Sequence, residues 1–194
     1  MKVRFSWTIP NILTTIRLFS IPVMAWFLYQ SGKTENEKYG MISFIFFLSI
    51  WLTDVVDGFV ARKFDMVSDF GKIYDPFVDK LFQFTTALML LIIGKIPAWV
   101  VVFMLTKEVL MILVGAYLLQ QKNLVVHSKW YGKASTALFV IALASQFFVP
   151  MDKSWISSYI FIAPVAMAVF SLFAYGKSVF IDGDQFKDNT NNAK

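Results

Sequence analysis

Six apolar stretches follow one another along this chain, and they constrain its fold more than any other feature. Each is close to the roughly 20 residues that a helix needs to cross the hydrocarbon core of a bilayer. The stretches comprise residues 9–29, 39–61, 74–93, 97–119, 131–150 and 155–181. Since 57% of the 194 residues are hydrophobic and only 16% are charged, the composition excludes an ordinary soluble domain. The sequence therefore predicts an all-α, polytopic membrane protein with six transmembrane helices.

The breaks between these stretches are short, and most carry Gly or Pro at or near their ends. No linker separates two domains, so we expect one six-helix domain over residues 1–181. The polar remainder, residues 182–194, is typical of a flexible tail. Arg17 interrupts the first apolar run and no small-residue cleavage site follows it, which favours a first helix over a signal peptide.

Lysine and arginine predict the orientation of the bundle, because positive charge accumulates on the cytoplasmic side of a membrane. With both termini cytoplasmic, twelve cations lie inside and four outside. The inner set is Lys2, Arg4, Arg62, Lys63, Lys72, Lys80, Lys122, Lys129, Lys133, Lys177, Lys187 and Lys194, and the outer set is Lys33, Lys38, Lys95 and Lys153. We therefore expect a protein of the cell membrane with residues 53–80 at its cytoplasmic face.

The residue types limit which metal sites are available. Cysteine is absent and His127 is the single histidine, which excludes disulfides, thiolate sites and a histidine cluster within one chain. A metal site must therefore be built from oxygen. The net charge of +5 would suggest nucleic acid in a soluble protein. In a membrane protein it is more typical of topology and of contact with anionic lipid, so we expect no nucleic-acid partner.

Four aspartates lie close together at the ends of two predicted helices. Asp54 and Asp57 are three residues apart, and Asp75 and Asp79 are four apart, so each pair shares a helical face. An antiparallel return would bring the pairs into one pocket, where carboxylates repel by roughly 4 kcal/mol per pair at 4 Å. Two divalent cations would balance four charges, and oxygen ligands favour Mg²⁺, Mn²⁺ or Ca²⁺. This arrangement indicates phosphorus chemistry. The alternative is four aspartates that are separately solvated.

The residues around the aspartates fit a phosphate ligand. Gly58 and Ala61 are small enough for close approach, although tight helix packing would also explain them. Arg62 can clamp phosphate oxygens with two donors, or can extend from the helix end into solvent. Gly71 either opens the turn into the third helix or makes room for a ligand.

These residues form the pattern D-x2-D-G-x2-A-R-x8-G-x3-D-x3-D, with every fixed position filled by Asp54, Asp57, Gly58, Ala61, Arg62, Gly71, Asp75 and Asp79. The pattern resembles the motif of the CDP-alcohol phosphotransferase family. The resemblance implies an enzyme that transfers a substituted phosphate from a CDP-linked donor to an alcohol and releases CMP. It also implies two divalent cations, Mg²⁺ or Mn²⁺, on Asp54, Asp57, Asp75 and Asp79, with Asp79 as general base. The residues alone do not choose between Asp75 and Asp79 for that role. A homodimer is a further implication of the resemblance.

The opening IPNILTTIR is similar to the first-helix start of the phosphatidylglycerophosphate synthases and cardiolipin synthases of that family. Asn11, Thr14 and Arg17 recur there at helical spacing and could face the donor, and capping plus a snorkelling arginine is the alternative. The implied donor-binding set is Asn11, Thr14, Asp54, Gly58, Ala61, Arg62 and Gly71.

Three lysines are candidates for binding a phosphate on the acceptor. Lys107 and Glu108 lie inside an apolar stretch, where an ion pair or a ligand must offset their desolvation. The related synthases have an Arg-Glu pair at this place, and SKWYGKAST resembles their Gly-Lys stretch. The resemblance thus implies an acceptor-phosphate site on Lys107, Lys129 and Lys133. Loop charges that set topology would also explain Lys129 and Lys133.

Two classes of function compete for these features. The first is transfer of phosphatidyl from CDP-diacylglycerol to glycerol 3-phosphate, or to phosphatidylglycerol as in a cardiolipin synthase. The second is a divalent-cation transporter with aspartates along an ion path. The transporter requires acidic residues through the membrane depth. The four aspartates instead lie at one face, which favours the enzyme.

Overall fold

The computed structural model describes residues 9–34, 36–63, 70–122, 130–150 and 153–180. The regular elements in these ranges are seven α-helices, which confirms the all-α prediction for the described part of the chain. In chain order they are α1 Ile9–Thr34, α2 Glu37–Lys63, α3 Gly71–Ile92, α4 Ala98–Lys122, α5 Trp130–Ser145, α6 Ser154–Ile160 and α7 Ile162–Phe180.

Each predicted apolar stretch contains a helix, but the sixth is interrupted at Phe161 between α6 and α7. Pro164 explains the interruption, because it lacks the N–H that would bond to the carbonyl of Ile160 and its ring crowds that residue. Within the described residues, three segments are long and apolar enough to cross a membrane: Pro10–Thr34, Glu37–Gly58 and Trp155–Ala174. The length and composition of these helices thus identify the chain as a helical membrane protein.

The described residues group into two compact units. The first draws on Met1–Val101 and Leu143–Ser157, and the second on Val102–Ala142 and Ser158–Lys194. In the second unit, the buried ring of Phe139 lies 6.2 Å from the ring of Phe103 and 6.4 Å from that of Phe161. These rings are part of its apolar packing.

Helices α1 and α2 of the first unit form an antiparallel hairpin, since only residues 35 and 36 connect them. The buried hydroxyl of Ser43 in α2 donates to the carbonyl of Met24 in α1 at 3.0 Å. Helix α3 runs in the same direction as α1, with Tyr74 beside Thr15 and Thr86 beside Met24. The start of α1, the end of α2 and the start of α3 consequently lie together.

The core of the first unit is aromatic and aliphatic. Phe47 is buried, and its ring lies 4.9 Å from that of Phe82 and 5.3 Å from that of Phe147. Large apolar side chains on the outer faces are exposed instead, including Phe19 at 71% and Ile45 at 55%. Exposed apolar surface on long helices is typical of contact with lipid.

Candidate functional site

The carboxylates of α2 and α3 surround the first turns of α1. Asp54 and Asp57 share a face near the end of α2, and Asp75 and Asp79 share a face near the start of α3. Thr14 and Arg17 of α1 contact three of these aspartates directly. The hairpin and the parallel course of α3 therefore assemble one polar cluster from three helices.

Arg17 joins the two aspartates of α2 through its guanidinium group. Nη1 donates to Oδ1 of Asp54, and Nη2 donates to Oδ2 of Asp57. The side chains of Arg17 and Asp57 are 3% and 4% exposed, whereas that of Asp54 is 39% exposed. Water screens a buried pair weakly, so the Asp57 pair is the stronger electrostatic contact. Arg17 is thus a buried partner of the acidic cluster and does not extend into solvent.

Thr14 links Arg17 to Asp75. The buried Thr14 hydroxyl accepts from Nη2 of Arg17 at 3.0 Å and donates to Oδ1 of Asp75 at 2.6 Å. A hydroxyl can accept and donate at once, which makes this a continuous chain of hydrogen bonds. Thr14 therefore fixes the position of Asp75 relative to the α2 aspartates.

Asp79 is oriented by a residue of its own helix. Nε2 of Gln83, one turn later, lies 3.1 Å from Oδ1 and 3.0 Å from Oδ2 of Asp79. Gln83 is 3% exposed and has little freedom to move away. Asp79 also lines a cleft with Asp54 and Arg17 that has no room for a water molecule. A ligand can enter this cleft only if side chains around it move.

The four carboxylates act on one another as like charges. Asp54 and Asp75 both repel Asp57, and Asp54 also repels Asp79. The four aspartates thus lie near one another where α2 ends and α3 begins, while a shared metal pocket and their chemical roles stay predictions. Arg17 and Lys80 attract these carboxylates. Two positive charges do not balance four negative ones, so the cluster favours further cations.

The donor set suits a hard divalent cation, since carboxylate oxygens are what Mg²⁺ and Mn²⁺ prefer. Among the residues that the structure describes, however, no three acidic side chains converge on a point where one ion could sit. Arg17 bridges Asp54 and Asp57 instead. The carboxylates therefore fit divalent cations in their chemistry. In this structure, the positive charge between Asp54 and Asp57 is that of Arg17.

The other predicted donor-side residues are distributed along the same three helices. Asn11 is buried in the first turn of α1, and Gly71 is buried where α3 begins. Gly58 follows the α2 aspartates and is partly exposed. Ala61 and Arg62 belong to α2, but their side chains lie outside the described part of the structure.

The predicted acceptor lysines belong to the second unit or lie outside the described residues. Lys107 of α4 is buried, and its Nζ lies 2.9 Å from Oε1 of Glu108 and 5.4 Å from the ring centroid of Phe139. This ion pair is one of the two solutions predicted for a charged pair in an apolar stretch. Lys133 of α5 is exposed, and Lys129 falls outside the described ranges.

Sequence reasoning missed Gln83 and underestimated Arg17. Gln83 stands four residues after Asp79, which is the spacing at which helical side chains meet. Arg17 stands three residues after Thr14 on the face that carries the polar residues of α1. Both spacings can be found in the sequence. Which carboxylates Arg17 contacts, however, depends on how α1 packs against α2.

These features define a class of protein: a helical membrane protein with an acidic site at one end of its first three helices. Residues 7–173 match the sequence model of CDP-alcohol phosphatidyltransferase, and this range contains all eight positions of the aspartate motif. The chain belongs to the CDP-alcohol phosphatidyltransferase family.

Three curated relatives are similar to this chain. A probable phosphatidylglycerophosphate synthase of Mycobacterium tuberculosis is 32% identical over 139 residues, which cover 72% of this chain and 64% of the relative. A cardiolipin synthase (CMP-forming) of Streptomyces coelicolor is 28% identical over 152 residues, with 78% and 69% covered. A CDP-diacylglycerol–glycerol-3-phosphate 3-phosphatidyltransferase of Rickettsia prowazekii is 34% identical over 88 residues, with 45% and 46% covered. The match thus spans less than two thirds of the Mycobacterium relative.

Proposed function

We propose that the protein transfers the phosphatidyl group of CDP-diacylglycerol to glycerol 3-phosphate, giving phosphatidylglycerophosphate and CMP. The observation that carries this proposal is the grouping of Asp54, Asp57, Asp75 and Asp79 beside Thr14 and Arg17, at the motif positions of the family. The Rickettsia relative is named for glycerol 3-phosphate and the Mycobacterium relative for phosphatidylglycerophosphate, and both names support glycerol 3-phosphate as the acceptor.

Asp79 takes the role of general base in this proposal. It accepts the proton of the acceptor hydroxyl while the hydroxyl oxygen bonds to the phosphatidyl phosphorus and the bond from that phosphorus to CMP breaks. Gln83 donates to both carboxylate oxygens of Asp79 and so fixes the plane in which the carboxylate meets the acceptor. Asp75 is bound to Thr14 and is less available for that role.

Asp54, Asp57, Asp75 and Asp79 would hold two divalent cations, Mg²⁺ or Mn²⁺, which polarise the phosphoryl oxygens of the donor when bound. Arg17 neutralises part of the charge on Asp54 and Asp57. Thr14 connects Asp75 through hydrogen bonds to Arg17, and so to Asp54 and Asp57. The residues proposed to contact the donor are Asn11, Thr14, Asp54, Gly58, Ala61, Arg62 and Gly71.

The acceptor phosphate is proposed to bind Lys107, Lys129 and Lys133. A lysine ammonium binds phosphate as a point charge, without the two-donor geometry of arginine. A second candidate acceptor is phosphatidylglycerol, which would make the protein a cardiolipin synthase. The Streptomyces relative, whose match covers 78% of this chain, favours that alternative.

The surrounding architecture is proposed to be a single domain over residues 1–181 with six membrane spans and a tail over 182–194. Both termini and the acidic site would lie at the cytoplasmic face of the cell membrane, and the enzyme would be a homodimer. The lipid chains of the donor would then remain in the bilayer while its CDP group enters the polar cluster. The positive-charge bias of the loops supports this orientation.

Radiolabelled CDP-diacylglycerol tests the proposal directly. Purified protein in detergent is incubated with Mg²⁺ or Mn²⁺ and with glycerol 3-phosphate, phosphatidylglycerol or no acceptor, and lipid products and CMP are quantified. We expect metal-dependent CMP release with phosphatidylglycerophosphate as the main product. Cardiolipin as the main product would favour the second candidate. No CMP release with any acceptor or metal would exclude both transferase readings and leave cation transport to be measured in vesicles.

A further inference from the structure

A cavity of about 680 Å³ lies in the first unit, at the end of the α1–α2 hairpin away from the acidic cluster. Its walls come from the connection between α1 and α2, from the turn after α3, and from residues 147–150 after α5. Its volume is within the range of pockets that enclose small-molecule ligands. Neither the family motif nor the proposed reaction uses these residues.

Aromatic packing gives the cavity a defined apolar wall. The ring of Phe44 lies 5.5 Å from that of Phe147 and 4.7 Å from that of Phe148. Phe148 and Met41, which also line the cavity, are 62% and 54% exposed. One side of the cavity is therefore apolar and open to the surroundings of the protein, as a lipid chain would require.

Lys95 supplies a cation to the same cavity. Its Nζ donates to the carbonyl of Gln146 at 3.0 Å and to that of Phe147 at 3.3 Å, and an ammonium has a third N–H. None of the described carboxylates forms a salt bridge with Lys95. Burial lowers the pKa of Lys95, because the charged form loses hydration in this turn. An anionic ligand would offset that loss.

The backbone presents Lys95 by a specific turn. Gly94 has a φ of +76°, the left-handed conformation that glycine adopts most easily. The Gly94 N–H bonds to the Leu91 carbonyl at 3.0 Å and the Lys95 N–H to the Leu90 carbonyl at 2.9 Å, which together form a Schellman motif. Ser157 Oγ lies 2.7 Å from the Lys95 carbonyl oxygen, to which it donates. Lys95 is thus held in place before any ligand arrives.

Glu37, in the first turn of α2, lines the cavity as well. One cation and one anion on its walls, beside an apolar aromatic surface, match an amphiphile with a phosphate, an ammonium and an acyl chain. We propose that this cavity binds a zwitterionic phospholipid, with its phosphate on Lys95, its ammonium near Glu37 and its chain along Phe44 and Phe148. This site is separate from the acidic cluster and does not depend on the proposed reaction.

Native mass spectrometry of the full chain in detergent tests this site. The probes are phosphatidylethanolamine, phosphatidylglycerol and inorganic phosphate, each titrated alone. We expect phosphatidylethanolamine to bind most tightly, and Lys95→Gln to weaken it about tenfold through loss of a charge-assisted hydrogen bond. Lys33→Gln is the matched control, because Lys33 is an exposed cation of α1 that does not line the cavity. The Lys33→Gln variant should bind phosphatidylethanolamine as tightly as the wild type does.

Two further variants keep the proposal open to refutation. Glu37→Gln should reduce the preference for phosphatidylethanolamine over phosphatidylglycerol and leave phosphatidylglycerol binding unchanged. Gly40→Leu should block the cavity if Lys95→Gln fails to fold, because a Cβ at Gly40 meets Ser31 Oγ at an ordinary 3.5 Å and the remaining atoms take up cavity volume. Tighter binding of phosphatidylglycerol, equal binding of inorganic phosphate, or equal losses in the Lys95 and Lys33 variants would each overturn the proposal.

Discussion

Arg17 and Asp57 form a buried ion pair at the centre of the acidic cluster, with side chains that are 3% and 4% exposed. The same guanidinium donates to Asp54, so one cation bridges two of the carboxylates that are proposed to hold metal. If those carboxylates also bind divalent cations, the arginine and the metal share their ligands. The charge of Arg17 would then stabilise the metal-free protein and weaken metal binding.

Arg17→Gln should therefore have opposite effects on the metal-free and the metal-bound protein. Without metal, the free energy of unfolding should fall by about 3 kcal/mol, because Asp57 is left as a buried and unpaired charge. With Mn²⁺, the increase in Tm should be larger than in the wild type. Thermal unfolding in detergent, with EDTA or with Mn²⁺, measures both effects.

Arg17→Lys is the control for this prediction, since it keeps the charge and loses the two-donor geometry. Its Tm with EDTA should fall less than that of Arg17→Gln. An identical increase in Tm with Mn²⁺ in the wild type and in Arg17→Gln would show that the arginine and the metal do not share ligands.

Asp79→Asn tests the proposed general base. An amide cannot take the proton of the acceptor hydroxyl, so transfer should fall by at least roughly a hundredfold. The amide is nearly isosteric and Asp54, Asp57 and Asp75 remain, so the fold and the affinity for CDP-diacylglycerol should be kept. CMP release and donor binding are measured on the same preparation. Turnover near the wild-type level would refute the assignment of Asp79 and turn attention to Asp75.

Gln83→Leu tests how Asp79 is oriented. The substitution removes the donor that lies 3.0 Å and 3.1 Å from the two carboxylate oxygens while keeping the volume of the side chain. We expect kcat to fall roughly tenfold, as is typical when a partner of a functional group is removed, with KM for the donor unchanged. Gln83→Glu is unsuitable as a control because it adds a fifth carboxylate. Gln83→Asn shortens the reach and should give an intermediate kcat.

The sequence predicts the helices of this protein more completely than it predicts the contacts in the candidate site. Apolar stretches of spanning length predicted the helices because burial in lipid requires that pattern, and each stretch contains at least one helix. The interruption at Phe161 was not predicted, although Pro164 carries the signal for it. Helical spacing predicted that Asp54 and Asp57 share one helical face and that Asp75 and Asp79 share another, since a shared face depends only on residues within one helix.

Contacts between helices were harder to predict. The pairing of Arg17 with Asp54 and Asp57, and of Thr14 with Asp75, depends on the register between α1 and its neighbours. Hydrophobic periodicity does not determine that register when helices are apolar on most faces, as α1 and α2 are. The ion pair of Lys107 with Glu108 could be predicted from the sequence, because the two residues are adjacent.

The acceptor site is tested by comparing Lys133→Ala with Lys107→Ala. Lys133 is exposed, so its removal should leave stability unchanged and raise KM for glycerol 3-phosphate about tenfold if it binds the acceptor phosphate. Lys107 is buried against Glu108 and Phe139, so its removal breaks this ion pair and empties space in the apolar packing, and it should also lower Tm. The matched control is Lys153→Ala, which removes an exposed cation near α6 and should change neither constant. Steady-state kinetics with each substrate varied in turn separates the outcomes. Because the donor carries its own phosphates, an equal rise in KM for both substrates would mean that Lys133 attracts anions in general and does not select the acceptor.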